Sequence, residues 1–266
     1  MLLAIDIGNT NVTLGVFSGD QIQADWRLRS SRHASKDEVG MSLMGLFQYA
    51  DISVENLQGI SLASVVPPLT GTYVEACKQY LKKTPLVVEA GVKTGVKVIV
   101  TEPRSVGADR IVNACAVKAL VGGPAIVVDF GTATTFDAVD RDGNYVGGAI
   151  APGLEVAVDS LSGRTAKLPR VELVVPPKAI GKTTIDAIRS GVMYGYVSLV
   201  EGMITRIADE LVDGSEDDKG GVTVVATGGL APTIAGLTTS IHKVDSNLTL
   251  DGLRMIWNLN SDIHQS

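Results

Sequence analysis

Three carboxylates stand where a short polar turn interrupts apolar sequence: Asp6 in "AIDIGNTNVTLGVF" (residues 4–17), Asp129 in "AIVVDFGTATTFDAVD" (125–140) and Asp109 in "GADR" (107–110). A turn rich in Gly, Thr and Asn brings backbone N–H groups and hydroxyls close to a ligand, as a polyphosphate requires. An Asp beside phosphate oxygens is repelled by them unless a cation lies between. Asp6 and Asp129 therefore imply Mg²⁺, a monovalent ion, or the deprotonation of an acceptor. One isolated D-x-G turn is more simply an Asx turn capping its own hairpin. Two at matching places weigh the other way: the spacing from Asp6 to Asp129 also separates Gly8 from Gly131, and the first hairpin turn at Gly19 from Asp142.

The elements that must position these groups run in a repeated order. Aliphatic runs at 2–7 and 12–17 flank the first turn, and Ser18-Gly19-Asp20-Gln21 connects to "QIQADWRL", giving a three-strand meander. Ser35-Lys36-Asp37-Glu38 has the form of a capping box ahead of Val39, Leu43, Leu46 and Phe47, which predicts an amphipathic helix. A buried strand at 59–66 stops at Pro67-Pro68; a helix at about 70–82, a strand at 86–88 and a helix at 108–120 follow. After Gly122-Gly123-Pro124 the strand, acidic turn, strand and hairpin recur. A long helix with Val197, Val200, Ile204, Ile207 and Leu211 on one face, a solvated acidic loop at 213–221 and a buried strand at 222–229 complete the second half. The expected architecture is α/β, two duplicated βββαβαβα halves, 1–122 and 123–266.

Composition excludes several classes. A chain of 266 residues with 45% hydrophobic content buries a real core, and a net charge of -6 argues against a protein living on nucleic-acid phosphates. Cys77 and Cys115 lie in apolar, helix-like contexts and read as two buried thiols in a reducing cytosol. His33, His242 and His264 are scattered, with no metal-ligand spacing to another His or Cys. The N-terminal apolar run is broken by Asp6 and is far shorter than the roughly 20 residues of a membrane span. The expectation is a cytoplasmic protein without a membrane or nucleic-acid partner.

Two halves that each open on a phosphate-gripping hairpin, with "TGG" (227–229) after a late strand, resemble the acetate and sugar kinase, Hsp70 and actin superfamily, with its ribonuclease H-like halves and a nucleotide cleft between them. Within it, the ordered set "DIGNTN" (6–11), "GADR" (107–110), "DFGTATTFD" (129–137), "GGAIAPG" (147–153) and "TGG" resembles the type III pantothenate kinase family over nearly the whole chain. That resemblance implies ATP-dependent phosphorylation of pantothenate. Asp6, Ile7, Gly8, Asn9, Thr10, Asn11, Val12 and Thr13 would form the first phosphate loop, Asp6 contacting Mg²⁺, and Thr132 would meet ATP from the second. Asp129 would bind K⁺ or NH₄⁺. Asp109 would be the general base toward the primary hydroxyl, with Gly107, Ala108 and Arg110 lining the pantothenate site and Thr184 reaching it from the second subunit of a homodimer.

Physical chemistry supports part of this independently. Gly107-Ala108-Asp109 opens an amphipathic helix, whose free N–H groups favour an anion, and Arg110 offers a bidentate fork to a carboxylate. Seen alone, the same pair is a helix N-terminal Asp with a surface Arg. "GKTT" (181–184) imitates the end of a P-loop but has Pro176 where glycine is required. Gly191 and Gly195 read as close-packing positions of a helix, at a dimer interface. One position departs from the family pattern: Val100 stands three residues before Pro103, where the family carries a substrate-contacting Tyr. A kinase of another small alcohol, a nucleotide-binding accessory factor without turnover and an actin-like filament protein are the other readings. Substrate exchange, an Asp109→Asn phenotype and sedimentation with ATP would separate them.

Overall fold

The computed structural model describes residues 1–163, 168–212 and 221–261. It divides into two compact units: Met1–Ala119 together with the segment from Asn247 onward, and Leu120–Ser246.

The first unit is built on a five-stranded sheet. Strands β1 (Leu2–Ile7), β2 (Asn11–Ser18) and β3 (Gln21–Arg29) form the meander, and β4 (Gly59–Ser64) and β5 (Leu86–Val87) add in parallel, in the order β3-β2-β1-β4-β5. Side chains alternate across the pleat. Leu3, Ile5 and Ile7 face helices α1 (Lys36–Tyr49) and α2 (Pro67–Ala76). Leu2 and Ala4 face α3 (Ala108–Leu120) and α7 (Leu248–Asn260). The capping box at Ser35 and Glu38 forms in full, and Pro67 opens α2, which runs into a π-turn over Cys77–Leu81.

The second unit repeats the plan. Its strands are β6 (Ala125–Phe130), β7 (Ala133–Val139), β8 (Tyr145–Pro152), β9 (Thr223–Gly228) and β10 (Lys243–Val244), ordered β10-β9-β6-β7-β8. The two sheets thus share one topology, and β1 and β6 share one burial pattern, in which only the acidic fifth residue is not fully buried. Helices α4 (Leu154–Gly163), α5 (Thr184–Val212) and α6 (Ala231–Ala235) cover the face of Ile126, Val128 and Phe130. This is the expected duplicated α/β architecture, with two differences. The first helical slot of the second unit holds two helices, α4 and α5, in place of one. The last helix, α7, packs on the first sheet, because Leu250, Leu253 and Ile256 fill a core with Ala4, Phe17 and Ala63. Gly252 makes this possible: a Cβ there would sit 2.3 Å from the Val112 carbonyl oxygen of α3. The second unit therefore ends at Ser246, before the C-terminal segment that the sequence reading placed with it.

Most of the expected acidic loop, residues 213–220, lies outside the described residues, as does His264. Among the described residues no helix is long and apolar enough to cross a membrane.

Candidate active site

In each sheet the polar turns lie at the carboxyl ends of the central parallel strands, the edge at which open α/β sheets place ligands. In the first unit, β1 ends at Ile7 and the chain turns through residues 8–10. The Gly8 N–H donates to the Asn11 carbonyl at 2.9 Å, and a Cβ on Gly8 would stand 3.1 Å from that oxygen. Ser30, at the end of β3, secures the turn: its N–H donates to the Thr10 carbonyl at 2.9 Å and its hydroxyl to the Gly8 carbonyl at 2.5 Å. Arg32 Nη2 reaches Asn9 Oδ1 at 3.4 Å. Asn9, Thr10 and Asn11 are exposed, whereas the side chains of Ile7 and Val12 are fully buried and offer a ligand only their backbone. Half-buried Asp6 continues the row of Leu2 and Ala4, on the face covered by α3 and α7, flanked by Thr13 of β2 and Ala63 of β4.

The GADR segment reaches the same edge. The Val65 N–H donates to the Ile7 carbonyl at 3.0 Å, so the residue after β4 is pinned to the end of β1. A Cβ on Gly107 would lie 3.4 Å from Val65 Cγ1 and 2.5 Å from Asp109 Oδ1. The Asp109 carboxylate folds back over Gly107 and accepts the Arg110 N–H at 2.8 Å. Burial raises its pKa above the usual carboxylate value, against the opposing pull of the Arg110 N–H and charge. Gly107, Ala108 and Arg110 are half-buried, as is Val100, in the irregular segment between β5 and the 3₁₀ turn Pro103–Ser105.

In the second unit, Asp129 occupies the place of Asp6, flanked by Thr135 of β7 and Thr227 of β9, so one rung carries three polar residues. The TGG turn closes against it: Gly228 has φ +90, and a Cβ there would lie 2.5 Å from the Phe130 carbonyl oxygen and 2.8 Å from Asp129 Oδ1. The exposed 131–132 turn is held by the Gly131 N–H on the Ala133 carbonyl, and by the Gly153 N–H on the Thr132 carbonyl, both at 3.1 Å. Gly153 is obligatory there, since a Cβ would fall 2.4 Å from the Thr132 oxygen.

GKTT is a helix start and not a phosphate loop. No strand precedes it among residues 168–183, and Thr183 caps α5 by accepting the Asp186 N–H at 3.1 Å while donating to the Asp186 carboxylate at 2.8 Å. Thr184, the first residue of α5, is exposed. Nothing described in the chain comes within 4 Å of a Cβ placed at Gly191 or Gly195, so the close packing expected of them is not made within it.

The model of the type III pantothenate kinase family matches residues 2–206. The chain belongs to that family. It is 51% identical to the type III pantothenate kinase of Moorella thermoacetica over 261 residues, 98% of this chain and 100% of the relative. Among solved structures, a Campylobacter jejuni protein assigned to the Baf family of transcriptional activators covers 98% of the chain and 99% of its own, at 20% identity and TM-score 0.61. The activator of 2-hydroxyisocaproyl-CoA dehydratase from Clostridium difficile, with bound ADPNP, covers 100% and 97% at 13% identity and TM-score 0.51. At these identities the likeness concerns the fold.

Both implied ions suit the donor sets of this pantothenate kinase chain. Among the described residues no group of three or more His, Cys, Asp and Glu could cage a metal. Mg²⁺ in phosphoryl-transfer sites is held by one or two carboxylates plus substrate phosphates, and Asp6 fits that pattern. A monovalent cation takes hard oxygens, and the Asp129 carboxylate and Phe130 carbonyl converge on the space that a Cβ at Gly228 would fill. Sequence reasoning missed Ser30, and took Thr135 and Gly153 only as parts of motifs. The contacts of Ser30 span 20 or more residues of sequence, and no local pattern marks them.

Proposed function

We propose that the chain transfers the γ-phosphoryl group of ATP to the primary hydroxyl of pantothenate, the first step of coenzyme A synthesis, in the cytoplasm and as a homodimer. The observation that carries this reading is the end-to-end membership of the type III pantothenate kinase family. Phosphoryl transfer through a loose transition state asks chiefly for positioning and charge neutralisation, and the roles follow from that. The backbone of residues 6–13 and Thr132 hold the ATP phosphates. Asp109 orients the pantothenate hydroxyl and finally accepts its proton, a task that its raised pKa favours. The N–H groups of Gly107 and Ala108 at the start of α3, with the Arg110 fork, receive the pantothenate carboxylate. Val100 takes the place of a polar substrate contact, and Thr184 reaches the acceptor from the second subunit. Bound Mg²⁺ at Asp6 and bound K⁺ or NH₄⁺ at Asp129 supply neutralisation of phosphate charge.

The test is transfer of phosphate from ATP to pantothenate by purified protein with Mg²⁺, run with K⁺ or with Na⁺ as the sole monovalent cation. Turnover with K⁺, little with Na⁺ and a loss of about 10²-fold or more in Asp109→Asn is the expected result. ATP binding without transfer under any ion refutes the reading.

A further inference from the structure

The first turn of α3 carries Asp109, and the opening turn of a helix is its least secured part, because its own N–H groups find no carbonyl within the helix. The carbonyls of Ala108 and Asp109 are held from one turn further on, by the N–H groups of Val112 and Asn113 in the i→i−4 pattern. Those two residues are the ones that α7 grips. The Asn113 side chain is buried, and its Oδ1 accepts the Thr249 hydroxyl at 2.8 Å. The Val112 carbonyl lies against Gly252, and the Val112 side chain packs with Leu250, Leu253 and Ile256. Thr249 and Gly252, three residues apart, share one face of α7. That helix is itself anchored. Arg254 pairs with Asp20 of the β2–β3 turn and with Asp251 at 3.2 Å. Asn260 accepts the Lys93 N–H at 3.2 Å and donates to the Lys93 carbonyl at 2.8 Å.

We propose that Thr249 is a positioning residue for Asp109: through Asn113 it fixes the first turn of α3, and with it the direction of the Asp109 carboxylate. Apolar burial has no direction, so the contacts of Val112 with α7 hold the two helices together without setting how α3 is rotated or how far it slides. A hydrogen bond between side chains on the two helices does set this, because it weakens steeply with distance and angle. Removing the Thr249 hydroxyl deprives the buried Asn113 Oδ1 of that donor, and α3 shifts as the amide seeks another. The inference rests on Asp109 as the proton acceptor of the proposed transfer.

Thr249→Val keeps the shape of the side chain and removes the hydroxyl, Thr249→Ala removes it with less bulk, and Thr249→Ser keeps it. In the phosphate-transfer assay with full-length protein, Thr249→Val and Thr249→Ala lower kcat about tenfold with the KM for ATP unchanged, while Thr249→Ser stays within about threefold of wild type. In the Asp109→Asn background the same substitutions cost nothing further, since the group they position is gone. Losses that multiply in that background, a kcat within about threefold of wild type in Thr249→Val, or a Thr249→Ser as slow as Thr249→Val overturns the proposal. The Arg110 N–H, which donates to the Asp109 carboxylate at 2.8 Å, gives a reading that needs no turnover. Its amide NMR resonance, recorded without ATP or pantothenate, moves in Thr249→Val and Thr249→Ala and returns in Thr249→Ser. An unmoved resonance overturns the positioning role even where the kinase reading has failed.

Discussion

Gly107→Ala separates the position of the Asp109 carboxylate from its presence. The new methyl group would lie 2.5 Å from Asp109 Oδ1 and 3.4 Å from Val65 Cγ1. Non-bonded atoms rest at about 3.5 Å, so the carboxylate must retreat by roughly 1 Å. Retreat in the other direction is blocked for the methyl group by Val65, which is pinned to the end of β1. A misplacement of about 1 Å in a reacting group costs on the order of 10²-fold in rate, or about 2.7 kcal/mol of barrier. The backbone of Gly107 does not lie in the left-handed region, so the fold accepts Ala at a cost of about 1 kcal/mol for the weaker helix cap. The assay is steady-state transfer to pantothenate with ATP varied, beside thermal unfolding of the same preparation. The expected pattern is a kcat lowered about 10²-fold, a KM for ATP close to wild type and a small loss of stability. A kcat within about threefold of wild type would refute the placement of Asp109 as the proton acceptor.

Three further outcomes follow from the same geometry. The Ser61 hydroxyl is fully buried in β4 with no hydrogen-bond partner among the described residues, so Ser61→Ala should gain about 1 kcal/mol, read as a rise of a few degrees in Tm. Gly228→Ala must place a methyl group against the Phe130 carbonyl and the Asp129 carboxylate at φ +90, with an expected loss of about 1–3 kcal/mol and of the difference between K⁺ and Na⁺ in the kinase assay. Because burial raises the Asp109 pKa, the folded chain holds that proton more readily than the unfolded chain; the stability from this residue is full below the usual carboxylate range and is lost as pH rises through the raised value. Asp109→Asn should therefore unfold at a higher temperature than wild type at neutral pH, the gap closing toward pH of about 4, and a pH-independent gap in a scan of unfolding temperatures would contradict this.

The parts of this structure that the sequence discloses are those with local causes. The runs entering Asp6 and Asp129 alternate between two covered faces, and each breaks at a turn whose residues are small and polar, so the two sheets and their acidic fifth positions can be read from pattern alone. Ser35 and Glu38 announce a helix start because both halves of the capping box lie within one turn. Ser30 could not be read in this way: its bonds to Gly8 and Thr10 depend on the register of β2 against β3, which brings distant residues together. Gly153 is legible only as the last residue of the GGAIAPG motif, and the approach of the Thr132 carbonyl shows why a side chain is excluded there. Ile7 and Val12 belong to the phosphate-loop motif by position, yet pleat parity sends their side chains into the core. Helix α7 carries an apolar face whose period says that it packs, without saying on which sheet.

That last helix bears on how the molecule is made. The first sheet is synthesised near the start of the chain, but one of its faces keeps Leu2, Ala4, Phe17 and Ala63 without their full cover until residues 248–260 leave the ribosome. Each large side chain that α7 then buries contributes ~1.5–3 kcal/mol, so the early unit stays short of its final stability through the synthesis of the entire second unit. The nascent first half must therefore be shielded or tolerated as an open sheet, and a gene cut at the apparent boundary near residue 120 would encode an N-terminal fragment without its lid.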